Sequence, residues 1–219
     1  MNVFQNALGH VISSIREYPI AYNTAIKVGQ IVKISGGLVV LAVAGETGAI
    51  LGIAMENHSG VADCLDPRSN GTSILVCDDP AVISECKAPQ LTASGGSSTT
   101  VVGTIAGAAD VYNGGYLKLV AKAAGSTNTD EIGTIKQIAD FATSEGVGTF
   151  TVASGGAANS GDVYEVYPPL GFQGGNFDSA ISGLVLSSTA AISAKVVGHD
   201  TKFGKLRMMF TKHFLGNIG

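Results

Sequence analysis

Tryptophan is absent from this sequence, and charged side chains are scarce, at 14% of the positions. Soluble domains average roughly 25% charged residues. A disordered chain would combine low hydrophobicity with high net charge, whereas this one is 45% hydrophobic with a formal net charge of −4. We therefore expect a folded protein that either owes its solubility to hydroxyl groups or covers much of its surface with neighbouring subunits.

Long apolar runs, a basic surplus and a secretory pattern are also missing. No stretch reaches the roughly 18 apolar residues that a membrane-spanning helix needs. A general nucleic-acid binder would show a basic patch or stripe. The first basic residue, Arg16, follows the N-terminal apolar positions, whereas a secretory signal would place it before them. We expect no membrane and no nucleic-acid partner, and assembly in a cytoplasm.

The three cysteines, Cys64, Cys77 and Cys86, lack the close pairing of metal-binding motifs. We expect them to be buried, reduced thiols. A Cys64–Cys77 or Cys77–Cys86 disulfide is the open alternative.

Recognisable catalytic motifs are missing as well. The glycines of residues 45–52 have neither the spacing nor the lysine of a phosphate-binding loop, and the sequence contains no nucleophile elbow and no H-E-x-x-H zinc motif. A group of aspartates is typical of solubilising turns, with Ca²⁺ binding as the alternative: Asp63, Asp66, Asp78 and Asp79. We assign no catalytic, cofactor-binding or metal-binding residue and predict that the chain is not an enzyme.

Apolar residues near the N-terminus follow helical spacing. Gly9 would destabilise such a helix by about 1 kcal/mol relative to alanine, and Pro19 would end it. The pattern predicts a short helix within residues 1–21, either packed on its own domain or extended as an arm onto a neighbouring subunit. In the second case the candidate interface residues are Phe4, Leu8, Val11, Ile12 and Ile15.

From residue 22 onwards the spacing changes to that of short strands. A strand over residues 27–34 would place Val28, Val32 and Ile34 on one face. Residues 38–43 are apolar on both faces, which predicts a central strand or one side of an interface. Further strands are expected over residues 50–56, 73–77 and 81–87. This set suits a small β-barrel or sandwich over residues 22–90.

A Ser/Gly/Thr-rich stretch at residues 90–100 predicts a loop or linker before a second β domain over residues 91–170. Strands are expected at residues 116–122, 148–153 and 162–167. Residues 132–142 fit a helix or a strand, and their β-branched content favours the strand. The predicted fold class is all-β, with two small barrel-like or sandwich-like domains.

The remaining segment, residues 171–219, is expected to add strands at residues 192–198 and 206–210 and to return to one of the two domains. Five of the thirteen basic residues lie in it, opposed by Asp178 and Asp200. It forms either an ordinary solvated face or a docking surface for an acidic partner. The candidate interface residues are Lys205, Arg207 and Lys212.

Several of these β patterns resemble those of the decoration, or cement, proteins on the heads of tailed bacteriophages. The matching patterns lie within residues 24–170, at residues 24–33, 39–42, 50–54, 112–117, 148–152, 161–164 and 167–169. The resemblance implies an all-β virion protein on the outer capsid surface that binds the major capsid protein lattice, often as a homotrimer. It implies no catalytic residues and no cofactor.

Two other functions stay open at this point. A head fibre or carbohydrate-binding appendage would need an exposed aromatic patch, for which the tyrosines Tyr112, Tyr116, Tyr164 and Tyr167 are the plausible donors. An unrecognised hydrolase would need one of the histidines, which stand far apart in the sequence, to meet a nucleophile in space.

Overall fold

A computed structural model describes residues 2–6, 14–21, 23–42, 48–58, 73–105, 107–173, 175–178, 183–186, 194–211 and 213–214. This part of the chain contains seventeen strands and no helix, and so no helix that could cross a membrane. The strands are β1 (Asn2–Asn6), β2 (Ile15–Pro19), β3 (Ile31–Ser35), β4 (Leu38–Leu41), β5 (Gly52–Ala54), β6 (Ser73–Cys77), β7 (Val82–Lys87), β8 (Gln90–Ser97), β9 (Thr100–Thr104), β10 (Tyr116–Ala121), β11 (Ile135–Ser144), β12 (Val147–Val152), β13 (Val163–Tyr167), β14 (Gly175–Asp178), β15 (Gly183–Leu186), β16 (Ala194–Asp200) and β17 (Lys205–Phe210).

Strands β2 to β6 form a five-stranded sheet in the order β2-β6-β5-β3-β4. Its pairs are antiparallel, and a parallel bridge from Ile20 to Val39 brings the chain after β2 against β4. Alternation along each strand directs Val32, Ile74 and Val76 into an aliphatic cluster on one face. On the opposite face, Ile53 and Cys77 join the main buried cluster of the chain.

Six antiparallel strands close into a barrel in the order β10-β11-β12-β9-β8-β13, with β13 pairing again with β10. Aromatic rings fill its interior. Phe141 lies edge-on to Tyr112 with ring centroids 4.7 Å apart, and Phe150 lies 4.7 Å from Phe141. All three side chains are fully buried, so the barrel encloses a packed core.

The third sheet has the order β14-β15-β7-β17-β16, and β1 also pairs with β7. The antiparallel hairpin of β16 and β17, here called the C-terminal hairpin, contributes Leu206, Met208 and Phe210 to the main buried cluster. This cluster is continuous with the barrel core, so the hairpin is packed against the rest of the chain.

The predicted all-β class is confirmed, and so are several of its strands. Residues 135–144 are extended, as their β-branched content favoured, and Leu206, Met208 and Phe210 point inward as predicted. The division of the chain at residues 21, 90 and 170 stays a prediction.

The predicted N-terminal helix is wrong at both of its ends. Residues 2–6 form β1, which pairs antiparallel with β7, and Ile15 begins β2. Residues 7–13 lie outside the described part of the chain. Helical spacing was outweighed here by backbone pairing with strands that are distant in sequence, which a local pattern cannot reveal.

Three further strand predictions need correction. Residues 90–97, predicted as a linker, form β8, in which Leu91 and Ala93 point inward while Thr92 and Ser94 face outward. Val28 is exposed in a turn instead of lying in a strand, since Gly29 adopts a positive φ of 84° beside it. β4 is the last strand in the order of its sheet, so the predicted central strand is wrong, while the alternative that it forms one side of an interface stays a prediction.

Candidate docking surface

The structure brings the strands of Phe4, Lys205 and Arg207 into one sheet, where both β1 and β17 pair with β7, and places Ile15 in another sheet. Phe4 lies in β1, where the register with β7 shifts, and Ile15 begins β2 with its side chain 49% exposed. Lys205 and Arg207 lie in β17. Leu8, Val11, Ile12 and Lys212 lie outside the described residues.

Lys205 and Arg207 lie on either side of one buried carboxylate, that of Glu85 on β7. The Lys205 Nζ atom is 2.9 Å from Glu85 Oε2, and the Arg207 Nε atom is 3.7 Å from Oε1. Glu85 pairs directly opposite Arg207 and is only 9% exposed. Part of the predicted cationic charge is therefore used inside the chain, because a carboxylate this buried needs a partner.

The turn between β16 and β17, residues 201–204, presents an aromatic ring to solvent. Phe203 is 66% exposed, the highest fraction among the large apolar side chains that the structure describes. The Lys202 ammonium lies 5.3 Å from the centre of this ring, a cation–π distance. We call Lys202 and Phe203 the hairpin tip.

Backbone hydrogen bonds hold the turn that carries the tip. The Phe203 N–H donates to the Asp200 carboxylate at 3.2 Å. The Thr201 carbonyl accepts from the Lys118 ammonium of β10 at 2.5 Å, and the Gly204 carbonyl accepts from the Ala88 N–H at 2.8 Å. Asp200 and two segments that are distant in sequence, at Lys118 and Ala88, therefore fix one exposed turn.

Gly204 is required at its position for two reasons. Its φ is +67°, a conformation that other residues rarely adopt. A Cβ atom there would also run into the Glu165 carboxylate of β13. The glycine thus lets the hairpin approach the barrel closely.

The surface under the turn is the outer face of β10 and β13. Lys118 and Glu165 pair directly across these strands, with the ammonium and a carboxylate oxygen 3.7 Å apart. The Tyr167 hydroxyl donates to the same carboxylate at 2.6 Å. Burial, together with this hydrogen bond, raises the pKa of Tyr167, so the phenol stays protonated and keeps donating.

His199 of β16 completes the contact between hairpin and barrel. Its Nε2 atom is 2.7 Å from the Pro168 carbonyl oxygen. Its ring lies edge-on to Tyr116 and Tyr167, with centroids 5.9 Å and 5.8 Å away. Burial lowers the pKa of His199, although the bond to Pro168 partly offsets the effect.

This arrangement is suited to binding. Energetic hot spots of protein interfaces are often aromatic or cationic side chains. A side chain on a fixed turn also loses little conformational entropy when a partner covers it. The sequence pattern included Lys202 in the cationic C-terminal segment but gave no role to Phe203, although an aromatic residue inside the polar turn Asp200 to Gly204 was a usable signal.

The other candidate chemistries find less support. Tyr112, Tyr164 and Tyr167 are buried, so they cannot form the aromatic patch that a carbohydrate-binding module would need. Asp78 and Asp79 are buried too and are not the solubilising turn residues that we predicted. Among the described residues, no group of three His, Cys, Asp or Glu side chains could hold a metal ion.

Asp78 instead fastens β2 to the end of β6. Its carboxylate accepts hydrogen bonds from the hydroxyls of Ser14 and Tyr18, and the Arg16 Nε atom is 3.6 Å away. Burial and the hydrogen bond to Asp78 raise the pKa of Tyr18 to about 12. Asp63 and Asp66 lie outside the described residues.

The expected thiol state is confirmed for two of the three cysteines. Cys77 and Cys86 are buried, and neither forms a disulfide. Burial raises the pKa of the Cys77 thiol, which keeps it protonated and unreactive. Cys64 lies outside the described residues.

Comparison with known proteins gives no relative. No protein family, curated protein or solved structure matches this chain.

Proposed function

We propose that this protein decorates the outer surface of an assembled bacteriophage head and binds the major capsid protein lattice through its hairpin tip. The observation that carries the proposal is the exposed Phe203 ring, with Lys202 over it, on a turn fixed by the barrel and by Ala88. Such a tip fits an apolar pocket with an acidic rim. Binding of this kind needs no catalytic step, cofactor or nucleic acid.

A second surface supports association with protein neighbours. On the outside of the barrel, Thr149 lies directly between Val102 and Ala142 across three strands, and Val147 lies between Thr104 and Ser144. None of these six residues is charged, and Val147 is exposed. Small, uncharged side chains allow close approach of another subunit without desolvating a charge.

We expect the protein to act as a small homo-oligomer, with a homotrimer as the form that the phage resemblance implies. Each tip buries little area, so a single contact would be weak. Several tips in one oligomer would bind a repeating lattice much more tightly, because the later contacts form at a high effective concentration.

Co-sedimentation with purified phage heads tests the docking. We expect the native chain to sediment with heads and the Phe203→Ala variant to lose at least about tenfold in affinity, a typical hot-spot effect. Phe214→Ala is the matched control, because Phe214 is also an exposed phenylalanine, at 51%, but lies outside the hairpin tip. Binding that is absent in the native chain, or equal in both variants, would contradict the proposal.

Light scattering on the purified protein tests the oligomeric state. A homotrimer would have three times the 22.1 kDa mass of one chain. A strict monomer at every concentration would remove the avidity argument.

A further inference from the structure

Among the described residues where the C-terminal hairpin contacts the barrel, His199 is the one group with an ordinary pKa near neutral pH. A carbonyl oxygen can only accept a hydrogen bond, so the Nε2 atom facing Pro168 must carry a proton. In the neutral ring, Nδ1 then carries none. Protonation would therefore add a proton at Nδ1 and make the whole ring positively charged.

The position of the ring makes this added charge costly. Tyr116 and Tyr167 pair directly opposite each other on β10 and β13, and the His199 ring packs against both. It is thereby partly removed from water, which disfavours the charged form.

The charged groups around the ring are engaged elsewhere. On the barrel side, the Glu165 carboxylate accepts from Tyr167 and pairs with Lys118. On the hairpin itself, the Asp200 carboxylate accepts from the Phe203 N–H. Among the described contacts of His199, none is with a carboxylate that could compensate a positive imidazolium.

We propose that His199 makes the packing of the C-terminal hairpin against the barrel sensitive to pH, so that protonation of its imidazole loosens the turn that presents Phe203. The tip would be presented firmly at neutral pH and loosely in mild acid. The effect concerns the isolated chain and therefore does not depend on the proposed function; only its consequence for head binding does.

The sign follows from linkage. The pKa of a free histidine is about 6.5, and burial lowers the pKa of His199 when the hairpin is packed against the barrel. Below about pH 6.5 His199 takes up a proton when the hairpin is detached from the barrel but not when it is packed against it. The packing therefore weakens as the pH falls. Above that pH His199 is neutral in both states, and the packing of the hairpin against the barrel is at full strength.

Hydrogen exchange between about pH 7.5 and pH 5.5 tests the proposal. After correction for intrinsic exchange rates, we expect protection of residues 194–204 to fall roughly threefold or more in the native chain. The His199→Gln variant retains an N–H donor for Pro168 but cannot be protonated. Protection of residues 194–204 in this variant should therefore be the same at both pH values. His58→Gln is the control, since His58 is also a buried histidine bonded to a carbonyl, that of Thr24, but lies far from the hairpin in sequence.

An NMR titration of the His199 imidazole provides a second measurement that does not depend on the variant folding. We expect a pKa below the free value. A pKa at or above it, or equal pH dependence in the native and His199→Gln chains, would overturn the proposal.

Discussion

The barrel and the five-stranded sheet are built from the same alternating strands, yet their interiors are filled differently. The barrel core contains the rings of Tyr112, Phe141 and Phe150, whereas the cluster inside the sheet is aliphatic. The barrel also contains a buried carboxylate, Asp162, in its end connections. Alternation thus determines which side of a strand is buried, but not what fills the interior or how the end is closed.

A polar network holds the end of the barrel, just as the buried Asp78 carboxylate holds β2 to the end of β6 in the sheet. Asp162 accepts hydrogen bonds from the Ala123 N–H at 2.9 Å, the Asn128 side-chain amide at 2.9 Å and the Asn159 N–H at 3.0 Å. These partners come from both connections at that end, between β10 and β11 and between β12 and β13. One carboxylate therefore fastens two loops.

The largest effect should come from truncating a ring in the barrel. Phe150→Ala removes a fully buried side chain and leaves a cavity, so we expect a loss of about 3–5 kcal/mol in the free energy of unfolding. Ile74→Val in the sheet removes one methylene group and should cost only about 0.5–1.5 kcal/mol. Denaturant titration measures both, and a loss for Phe150→Ala as small as that for Ile74→Val would show that the Phe150 ring does not fill the barrel core.

The next largest effect concerns the barrel end. Asp162→Asn replaces an ionised acceptor by an amide, and we expect it to cost roughly 2 kcal/mol in the free energy of unfolding. Asp140→Asn, at an exposed carboxylate of β11, is the control and should cost less than about 0.5 kcal/mol.

Acid titration sharpens the same point. Burial by itself would raise the pKa of Asp162, but the hydrogen bonds from Asn128, Ala123, Asn159 and Ser126 outweigh it and lower the pKa. The stabilisation is therefore complete above the unfolded pKa of about 3.9 and is lost as the pH falls through the lower folded value. Asp162→Asn should flatten this acid loss, and an unchanged pH profile would contradict the network's role.

A smaller effect is expected where the hairpin meets the barrel. Gly204→Ala must accept a positive φ and push against Glu165, so we expect a loss of about 1–2 kcal/mol or more. Gly146→Ala also meets a positive φ, of 81°, but nothing lies within 4 Å of its Cβ. Thermal unfolding measures the loss of stability in both variants, and the difference between the two losses is the cost of the contact with Glu165. Equal losses would show that a Cβ atom at position 204 does not press against Glu165.

The smallest effect on stability belongs to the hairpin tip. Phe203→Ala removes an exposed ring, and we expect the free energy of unfolding to change by less than about 0.5 kcal/mol. A large loss would mean that the ring packs within its own chain and is not presented to a partner.

The sequence was a good guide where alternation is regular and a poor one where pairing is distant. Leu117 and Leu119, or Leu206 and Met208, alternate with polar neighbours, so their inward faces could be predicted. The pairing of β1 with β7 joins residues 2–6 to residues 82–85, and no local pattern signals it. The small residues of β8 resembled a linker because only Leu91 and Ala93 face the core.

The candidate site was only partly accessible from the sequence. The cationic C-terminal segment pointed to the hairpin that carries the proposed tip, and within it to Lys205 and Arg207, which lie beside Glu85 of another strand. The importance of Phe203 follows from Lys118, Ala88 and Glu165, which fix its turn from elsewhere in the chain. Such a convergence becomes visible only in three dimensions.

Hydroxyl-radical footprinting of the free and head-bound protein tests the docking claim most directly. We expect oxidation of Phe203 to fall severalfold on binding, while that of the exposed Phe214 stays unchanged. Equal oxidation of Phe203 in the free and bound states would show that the hairpin tip is not where this protein meets a capsid.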